Sequence, residues 1–438
     1  MTADIQRAET TAPNKISPRV ILAGAVGSVI EYFDFGVYGY VATILAVHFF
    51  ASGDPVASLL STLATFAVAF VLRPVGALLF GHYGDRFGRK NALAMTIVLM
   101  AVASGLIGIL PSYAAIGLGA TVLLVLARCL QGIAAGGELG GAASFVAEKS
   151  PNSRRGLFTS TTQMGALGGS LLASLTVMIL NLGLGSEQML EWGWRIPFLI
   201  AIPLGLFGMW IRSGLEETAE FEEARAAAAE LKKKQQPIRT LFTKYPVKVL
   251  QVIGLSVLLF SAYYIAYVYV NIHMQTVLGF SADFAYMSTT ITLVVSVILM
   301  PYFGHLSDKV GRKPVFIAAS VVAMAISVPA FMLFEVGGPV AVLSQVILGL
   351  VDSALMGVAL STYAEMFPTQ VRYTGIAFGF SVGAALAGGT SPYIATWLVG
   401  ATGSTLAPAF FLVGTALITL IAAFFLKETR GIDLQDVE

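Results

Sequence analysis

Charge is scarce in this sequence and cysteine almost absent. Of 438 residues, 12% are charged and 56% hydrophobic, where a soluble domain is about a quarter charged because its surface must face water. That shortage excludes a soluble enzyme and a disordered chain. A net charge of +1 offers no basic stripe for a phosphate backbone, so no nucleic-acid partner is expected. The single cysteine, Cys129, permits neither an intrachain disulfide nor a cysteine metal cluster. The four histidines (His48, His82, His273 and His305) lie at no metal-ligand spacing, so no metal site is expected. No lysine sits in a G-x-x-x-x-G-K-[ST] phosphate loop. No nucleophile–base set stands out either, and an enzyme is not expected. The polar N-terminal tail lacks the apolar core and small-residue cleavage site of a secretory signal.

What the chain has in abundance is apolar runs, with a mean hydropathy of +0.80. A helix crossing a bilayer takes about 20 residues. Runs of that order recur twelve times, over residues 20–50, 57–80, 91–111, 115–147, 157–182, 196–213, 247–275, 285–303, 314–335, 340–364, 374–400 and 406–427. They do not alternate as the strands of a membrane β-barrel would, and glycine or proline inside them is tolerated where neighbouring helices satisfy the backbone. The expected fold is an all-α membrane protein of twelve transmembrane helices in a lipid bilayer.

All but three of the 26 lysines and arginines fall in the N-terminal tail, in alternate loops or after the last run. The positive-inside rule makes that side cytoplasmic and places both termini there. The exceptions are Arg73, Arg128 and Arg195.

The sequence also repeats. Gly81-His-Tyr-Gly-Asp85-Arg86-Phe-Gly88-Arg89-Lys90 returns as Gly304-His-Leu-Ser-Asp308-Lys309-Val-Gly311-Arg312-Lys313, and Glu148 with Arg155 returns as Glu365 with Arg372. The expected organisation is a cytoplasmic tail (1–19), a six-helix bundle (20–213), a charged cytoplasmic linker (214–246), a second six-helix bundle (247–427) and a cytoplasmic C-terminal tail (428–438). Duplicated membrane halves are how transporters are built, with substrate near the midplane between them.

The repeated G-x-x-x-D-[RK]-x-G-R-K loop, together with the Glu–Arg loops, resembles the major facilitator superfamily over essentially the whole chain. Four further stretches resemble its metabolite:proton symporter branch. They are Glu31-Tyr-Phe-Asp34-Phe, Arg73-Pro74-Val-Gly76, Gln131-Gly132 with Gly136-Gly137-Glu138, and Trp192-Gly-Trp194-Arg195-Ile-Pro197-Phe. That branch includes permeases for α-ketoglutarate, citrate, shikimate and proline/betaine. The resemblance implies alternating access driven by a proton gradient without a cofactor, a monomer, and a bacterial inner membrane.

In the repeated loops, glycines permit tight turns, and the aspartate can cap a helix or pair with arginine. Asp85, Arg89, Glu148 and Arg155 read as one cytoplasmic ion-pair cluster, with Asp308, Arg312, Glu365 and Arg372 as its twin. Formed, the pairs favour an outward-open state; broken, they release the inner gate. The plainer alternative is that they only anchor topology.

Ionisable groups inside the bilayer are costly and therefore candidate functional groups. At about 1.5 Å per residue, Glu31 and Asp34 lie roughly 17 and 21 Å into the first span, and Arg128 lies roughly 18 Å from the opposite face. An Asp34–Arg128 pair that opens on protonation is the expected proton coupler, and many proton-linked members of the superfamily resemble this arrangement. Glu31 is the second candidate. A permanent structural bridge is the competing reading. Glu138 is either another proton site or a partner for Arg73. Arg73 either snorkels to the membrane surface or grips a substrate carboxylate with its planar fork. Arg195 is a substrate group or an anchor in an interfacial belt with Trp192 and Trp194. Asp352, whose repeat equivalent is Ala135, serves substrate binding or packing. Tyr38, Gln131, Gln163 and Asn271 are candidate substrate contacts. Tyr263 and Tyr267 share a helix face and line either a cavity or an interface belt.

These arginines favour an organic acid (mono-, di- or tricarboxylate) imported with protons. The alternative is a zwitterion such as proline or betaine, since the run Asp34-Phe-Gly-Val-Tyr38-Gly is close to that permease. Osmosensing relatives carry a long C-terminal coiled coil, whereas this sequence runs only to Glu438, and that weighs toward the acid. A drug exporter is disfavoured because the fifth span, Thr159 to Asn181, has no proline.

Overall fold

The computed structural model describes residues 18–50, 53–87, 89–136, 146–148, 150–213 and 237–437, with side chains from 26 onward except 81–82, 84–93, 211–213 and 237–238. Every described element is helical, and the helices fall on the twelve apolar runs. Among the described residues eight are long and apolar enough to cross a bilayer, and a ninth span is a pair, Val26–Tyr40 and Ala42–Phe49, bent by 64°. The remaining three are shorter or broken: Ala94–Ile109, Arg195–Trp210, and the pair Thr369–Ala387 and Thr390–Thr402 interrupted at Gly388 and Gly389.

Burial sorts the spans. The third, sixth, ninth and twelfth carry exposed apolar side chains such as Val102, Phe207, Val321 and Phe424, the face that lipid covers. The seventh is 78% buried and the tenth 67%, against 39–50% for the other long spans, so these two occupy the middle of the molecule. The first, second and fifth spans meet the seventh, eighth, tenth and eleventh across the boundary between the halves.

Close approach of helices rests on glycine where no lipid-exclusion force holds helix to helix. A Cβ on Gly132 or Gly136 of the fourth span would meet the backbone of Ala69 or Arg73 in the second. That contact locks the backbone from which the Arg73 side chain leaves. The duplication is visible in atomic detail. Arg155 donates from Nε to the Ala147 carbonyl at 3.3 Å, and Arg372 repeats this to Ala364 at 3.0 Å.

Among the irregularities beyond the twelve-run pattern are the bend at Val41, the kink at Gly185, and π-helical turns at Met189–Gly193 and Ile265–Tyr269. The second π-turn follows Tyr263 and Tyr264 and contains Tyr267 and Tyr269, and such turns are frequent at functional sites. A short helix, Pro237–Lys244, precedes the seventh span. The N-terminal tail to residue 17 and the linker from 214 to 236 lie outside the described residues.

Candidate substrate site and gates

Two guanidiniums lie deep in the first half. Arg73 is 1% exposed and pairs with Glu31 at 2.9 Å, which removes the snorkelling alternative. Glu138, its other expected partner, lies outside the described residues. The Arg73 guanidinium also sits 4.6 Å from the Phe35 ring centroid and 4.4 Å from that of Phe70. Arg128 lies over Tyr38 at 4.3 Å, Phe35 at 4.8 Å and Phe66 at 5.2 Å. Phe35 therefore stands between both cations. Rings supply electron-rich faces that partly offset the lost hydration.

The expected direct Asp34–Arg128 pair is corrected to a relay. Arg128 donates from Nη1 to Gln131 Oε1 at 2.7 Å, Gln131 donates from Nε2 to Ser104 Oγ at 3.0 Å, and Ser104 donates to Asp34 Oδ1. The cation and the carboxylate come from the fourth and first spans, and the third span inserts a hydroxyl between them. Asp34 Oδ2 has no hydrogen-bond partner.

From the second half come the tyrosines. Tyr263 and Tyr267 are buried, so they belong to no interface belt. Their ring centroids are 5.2 Å apart, and Tyr263 also packs against Tyr264 at 4.8 Å and Tyr32 of the first span at 5.6 Å. The Tyr263 hydroxyl bonds Ser170 of the fifth span. Tyr267 donates to Ser296 at 2.9 Å and to the Gly349 carbonyl at 3.1 Å. Asp352 is fully buried in the tenth span. One turn further along, Met356 meets the Gln163 amide at 3.5 Å across the boundary between the halves.

Three candidate contacts are engaged elsewhere. Tyr38 donates to the Thr62 carbonyl at 3.1 Å and lends its ring to Arg128. Asn271 lies inside the second half, donating to Thr289 at 3.3 Å and accepting from Gln275 at 2.8 Å. Arg195 is held at the end of the third span. It donates to the carbonyls of Gly108 at 3.1 Å and Leu110 at 2.6 Å, closing the C-terminal end of the third span as basic side chains commonly do. Its guanidinium rests 4.4 Å from the Trp194 ring. Trp194 is itself buried, so only Trp192 of that pair is exposed.

On the face carrying the basic loops, the charges pair across the halves, which corrects the reading of two self-contained clusters. Arg155 binds Glu365 at 2.9 Å, and Arg372 binds Glu148 at 2.8 Å. Arg312 grips Glu365 through Nε at 3.1 Å and Nη2 at 3.0 Å, and reaches Asp308 at 2.8 Å. Asp308 accepts the backbone N–H groups of Gly156 at 2.8 Å and Leu157 at 2.9 Å. It thus caps the first turn of the fifth helix, where four N–H groups lack intrahelical partners and the dipole favours an anion. The Asp85 and Arg89 side chains lie outside the described ones.

The C-terminal segment joins this network. Thr429 donates to Glu365 at 2.7 Å, and Glu428 accepts from the N–H groups of Arg312 at 2.8 Å and Lys313 at 3.1 Å. The carbonyls of Ile432 and Leu434 accept from Arg155 at 3.1 Å and Arg372 at 2.7 Å. The opposite face is closed too. Asn181 donates to Asp283 at 2.6 Å, Tyr286 to the Tyr40 carbonyl at 3.2 Å, and Ser174 shares a hydrogen bond with Thr290 at 2.8 Å. Outside this closure a pocket of about 360 Å³ is lined by Thr43, Asp54, Ser58 and Thr276 among others. Among the described residues, then, the two halves are closed on each other at both faces.

Two bundles closed over a charged midplane are the anatomy of a secondary transporter, and comparison identifies which kind. The sugar (and other) transporter family matches residues 20–438. The chain belongs to that family, and its fold is that of the major facilitator superfamily. It is similar to the proline/betaine transporter of Salmonella typhimurium, 37% identical over 404 residues that cover 90% of this chain and 80% of that one. The proline/betaine transporter of Escherichia coli K12 is 36% identical with the same coverage. So is the glycine betaine/proline/ectoine/pipecolic acid transporter of Dickeya dadantii, over 401 residues. Among solved structures, a D-xylose–proton symporter matches with a TM-score of 0.75 at 21% identity, covering 94% of this chain and 99% of that one. A partially occluded inward-open form of the xylose transporter from E. coli gives 0.71 at 20% identity, covering 95% and 99%. These two share the fold. As a member of a transporter family, the chain is an integral multi-pass membrane transporter and not an enzyme.

Sequence reasoning missed Ser104, Tyr32 and the Glu428–Thr429 segment of this transporter. Tyr32 lies beside Glu31 in a quoted motif, and that adjacency was the available signal. Ser104 in an apolar helix carried none. Thr429 bonds a residue 64 positions away, so only the folded chain shows it.

Proposed function

We propose that the protein is a proton-coupled importer of a small zwitterionic osmolyte of the proline or betaine kind. The observation that carries this is similarity to proline/betaine transporters over nine-tenths of the chain. It favours the alternative of the sequence reading over an organic acid. The site chemistry supports it, since buried guanidiniums in the first half and a buried carboxylate in the second match a solute with both charges. A di- or tricarboxylate would bring a second anion toward Asp352.

In this reading the two halves rock about the central site, opening it to one face at a time. Asp34 carries the proton, with Glu31 the second candidate. Every donor in the relay points toward Asp34, the direction an ionised carboxylate favours. Its protonation removes the negative charge facing Arg128 and weakens the relay, freeing the guanidinium for the substrate carboxylate. The cross-half ion pairs act as the inner gate. The protein works as a monomer in a bacterial inner membrane with both termini in the cytoplasm.

The test is uptake into sealed proteoliposomes with an acid exterior, using labelled glycine betaine, proline, citrate and α-ketoglutarate. Accumulation of the zwitterions, abolished by a protonophore, is the expected result. Accumulation of a carboxylate alone would reinstate the organic acid, and uptake insensitive to the pH gradient would make the protein a facilitator.

A further inference from the structure

Each described buried carboxylate except one has a partner. Glu31 faces Arg73, Asp34 accepts from Ser104, and Asp308 and Glu365 are each held several times. Asp352 is the exception: it is 0% exposed, and neither carboxylate oxygen has a hydrogen-bond partner. A buried carboxylate is costly unless a proton or a cation neutralises it, and no described lysine, arginine or histidine forms an ion pair with it. The duplicated framework does not call for it either, because its repeat equivalent is Ala135.

Its surroundings are aromatic and cross the boundary between the halves. Tyr267 of the second half donates to the Gly349 carbonyl, one turn before Asp352, at 3.1 Å, and its neighbour Tyr263 packs against Tyr32 of the first half at 5.6 Å. From Tyr267 the rings run through Tyr263 and Tyr264 to Phe66 and Phe70, the last two steps at 5.6 and 5.2 Å. Those phenylalanines carry Arg128 and Arg73. A continuous aromatic tract therefore has guanidiniums at one end and a lone carboxylate at the other.

We infer that Asp352, with the ring faces of Tyr32, Tyr263 and Tyr267, is the subsite for the cationic group of the transported zwitterion, while Arg128 and Arg73 receive its carboxylate. This rests on the osmolyte reading above. A quaternary ammonium has no N–H to donate, so it is recognised by nearby negative charge and by aromatic faces. A secondary ammonium such as proline's can in addition donate directly to Asp352. Because the cation subsite draws on both halves and the guanidiniums that receive the anionic end belong to the first, substrate favours the state in which the halves are closed together, as differential binding requires.

The experiment measures binding of glycine betaine and of its uncharged-headed isostere, 3,3-dimethylbutyrate, to the full-length protein in lipid nanodiscs. Wild type, Asp352→Asn and Asp352→Glu are compared. Wild type should prefer betaine by about tenfold or more, the scale of a desolvated cation–π and charge contact. Asp352→Asn should bring the two ligands to within about threefold by weakening betaine alone, while Asp352→Glu keeps most of the preference. An unchanged preference in Asp352→Asn overturns the assignment. So does intact betaine binding with lost proton uptake, which would make Asp352 a proton carrier. Retained dimethylbutyrate binding shows that the variant is folded. If Asp352→Asn does not fold, Tyr263→Leu decides, and it must lower the preference. A wild type that binds a carboxylate but neither betaine nor proline defeats the osmolyte reading itself, and the subsite with it.

Discussion

Asp34 ends a chain of donors that begins at a cation, Arg128 to Gln131 to Ser104 to carboxylate. Asparagine at 34 keeps the shape and cannot cycle a proton. Asp34→Asn is expected to retain exchange of labelled for unlabelled substrate across the membrane, which needs no net proton movement. It should lose accumulation driven by a pH gradient. Exchange and accumulation measured on the same proteoliposomes check this, and loss of both would point to a role in binding instead. The carboxylates and guanidiniums of this site were legible in the sequence because charge inside a bilayer is expensive enough to single them out. Their partners were not legible. Depth along a helix set Asp34 level with Arg128 but said nothing of azimuth, so the third-span serine between them was invisible, as was the pairing of Arg73 with Glu31.

At the scale of elements, the twelve apolar runs translated directly into helices, because a span must satisfy its own backbone in lipid. The breaks did not translate. The bend at Val41 and the π-turn at Ile265–Tyr269 fall inside uniformly apolar stretches where hydropathy carries no signal. Glycine governs how the halves meet at the inner face. A Cβ on Gly156 of the fifth span would meet the Gly304 carbonyl, Ser307 Oγ and Arg312 Nη1 of the other half. Gly156→Ala is therefore expected to disfavour the closed inner gate by about 1–3 kcal/mol, the usual cost of overpacking. Labelling of a cysteine placed in the gate, in a Cys129→Ser background, should speed up accordingly. Gly414→Ala, at a position with open space around it, should leave the labelling rate unchanged.

Across the whole molecule, the internal repeat disclosed two halves but not how their charges pair. Arg155 finds Glu365 210 residues away, and Arg372 finds Glu148 at 224. Such separations are set by docking of the bundles and by no local pattern. Glu365 accepts from Arg155, Arg312 and Thr429 at once, so it joins both halves and the C-terminal segment. Removing one partner of a buried pair costs about 3–5 kcal/mol because the other charge is stranded. Glu365→Gln should thus move the gate equilibrium toward opening by about a hundredfold or more. Thr429→Val removes one neutral donor and should do the same by about tenfold at most. Distance distributions between spin labels on the fifth and eighth helices at the inner face check both.

The central claim is that movement of a zwitterion is tied to movement of a proton through Asp34. External pH, followed in lightly buffered proteoliposomes on adding glycine betaine or proline, tests it most directly. Wild type should alkalinise the medium with these solutes and not with citrate or α-ketoglutarate, and Asp34→Asn should give no signal. Uptake of betaine by wild type without any alkalinisation, or alkalinisation that persists in Asp34→Asn, would contradict the account.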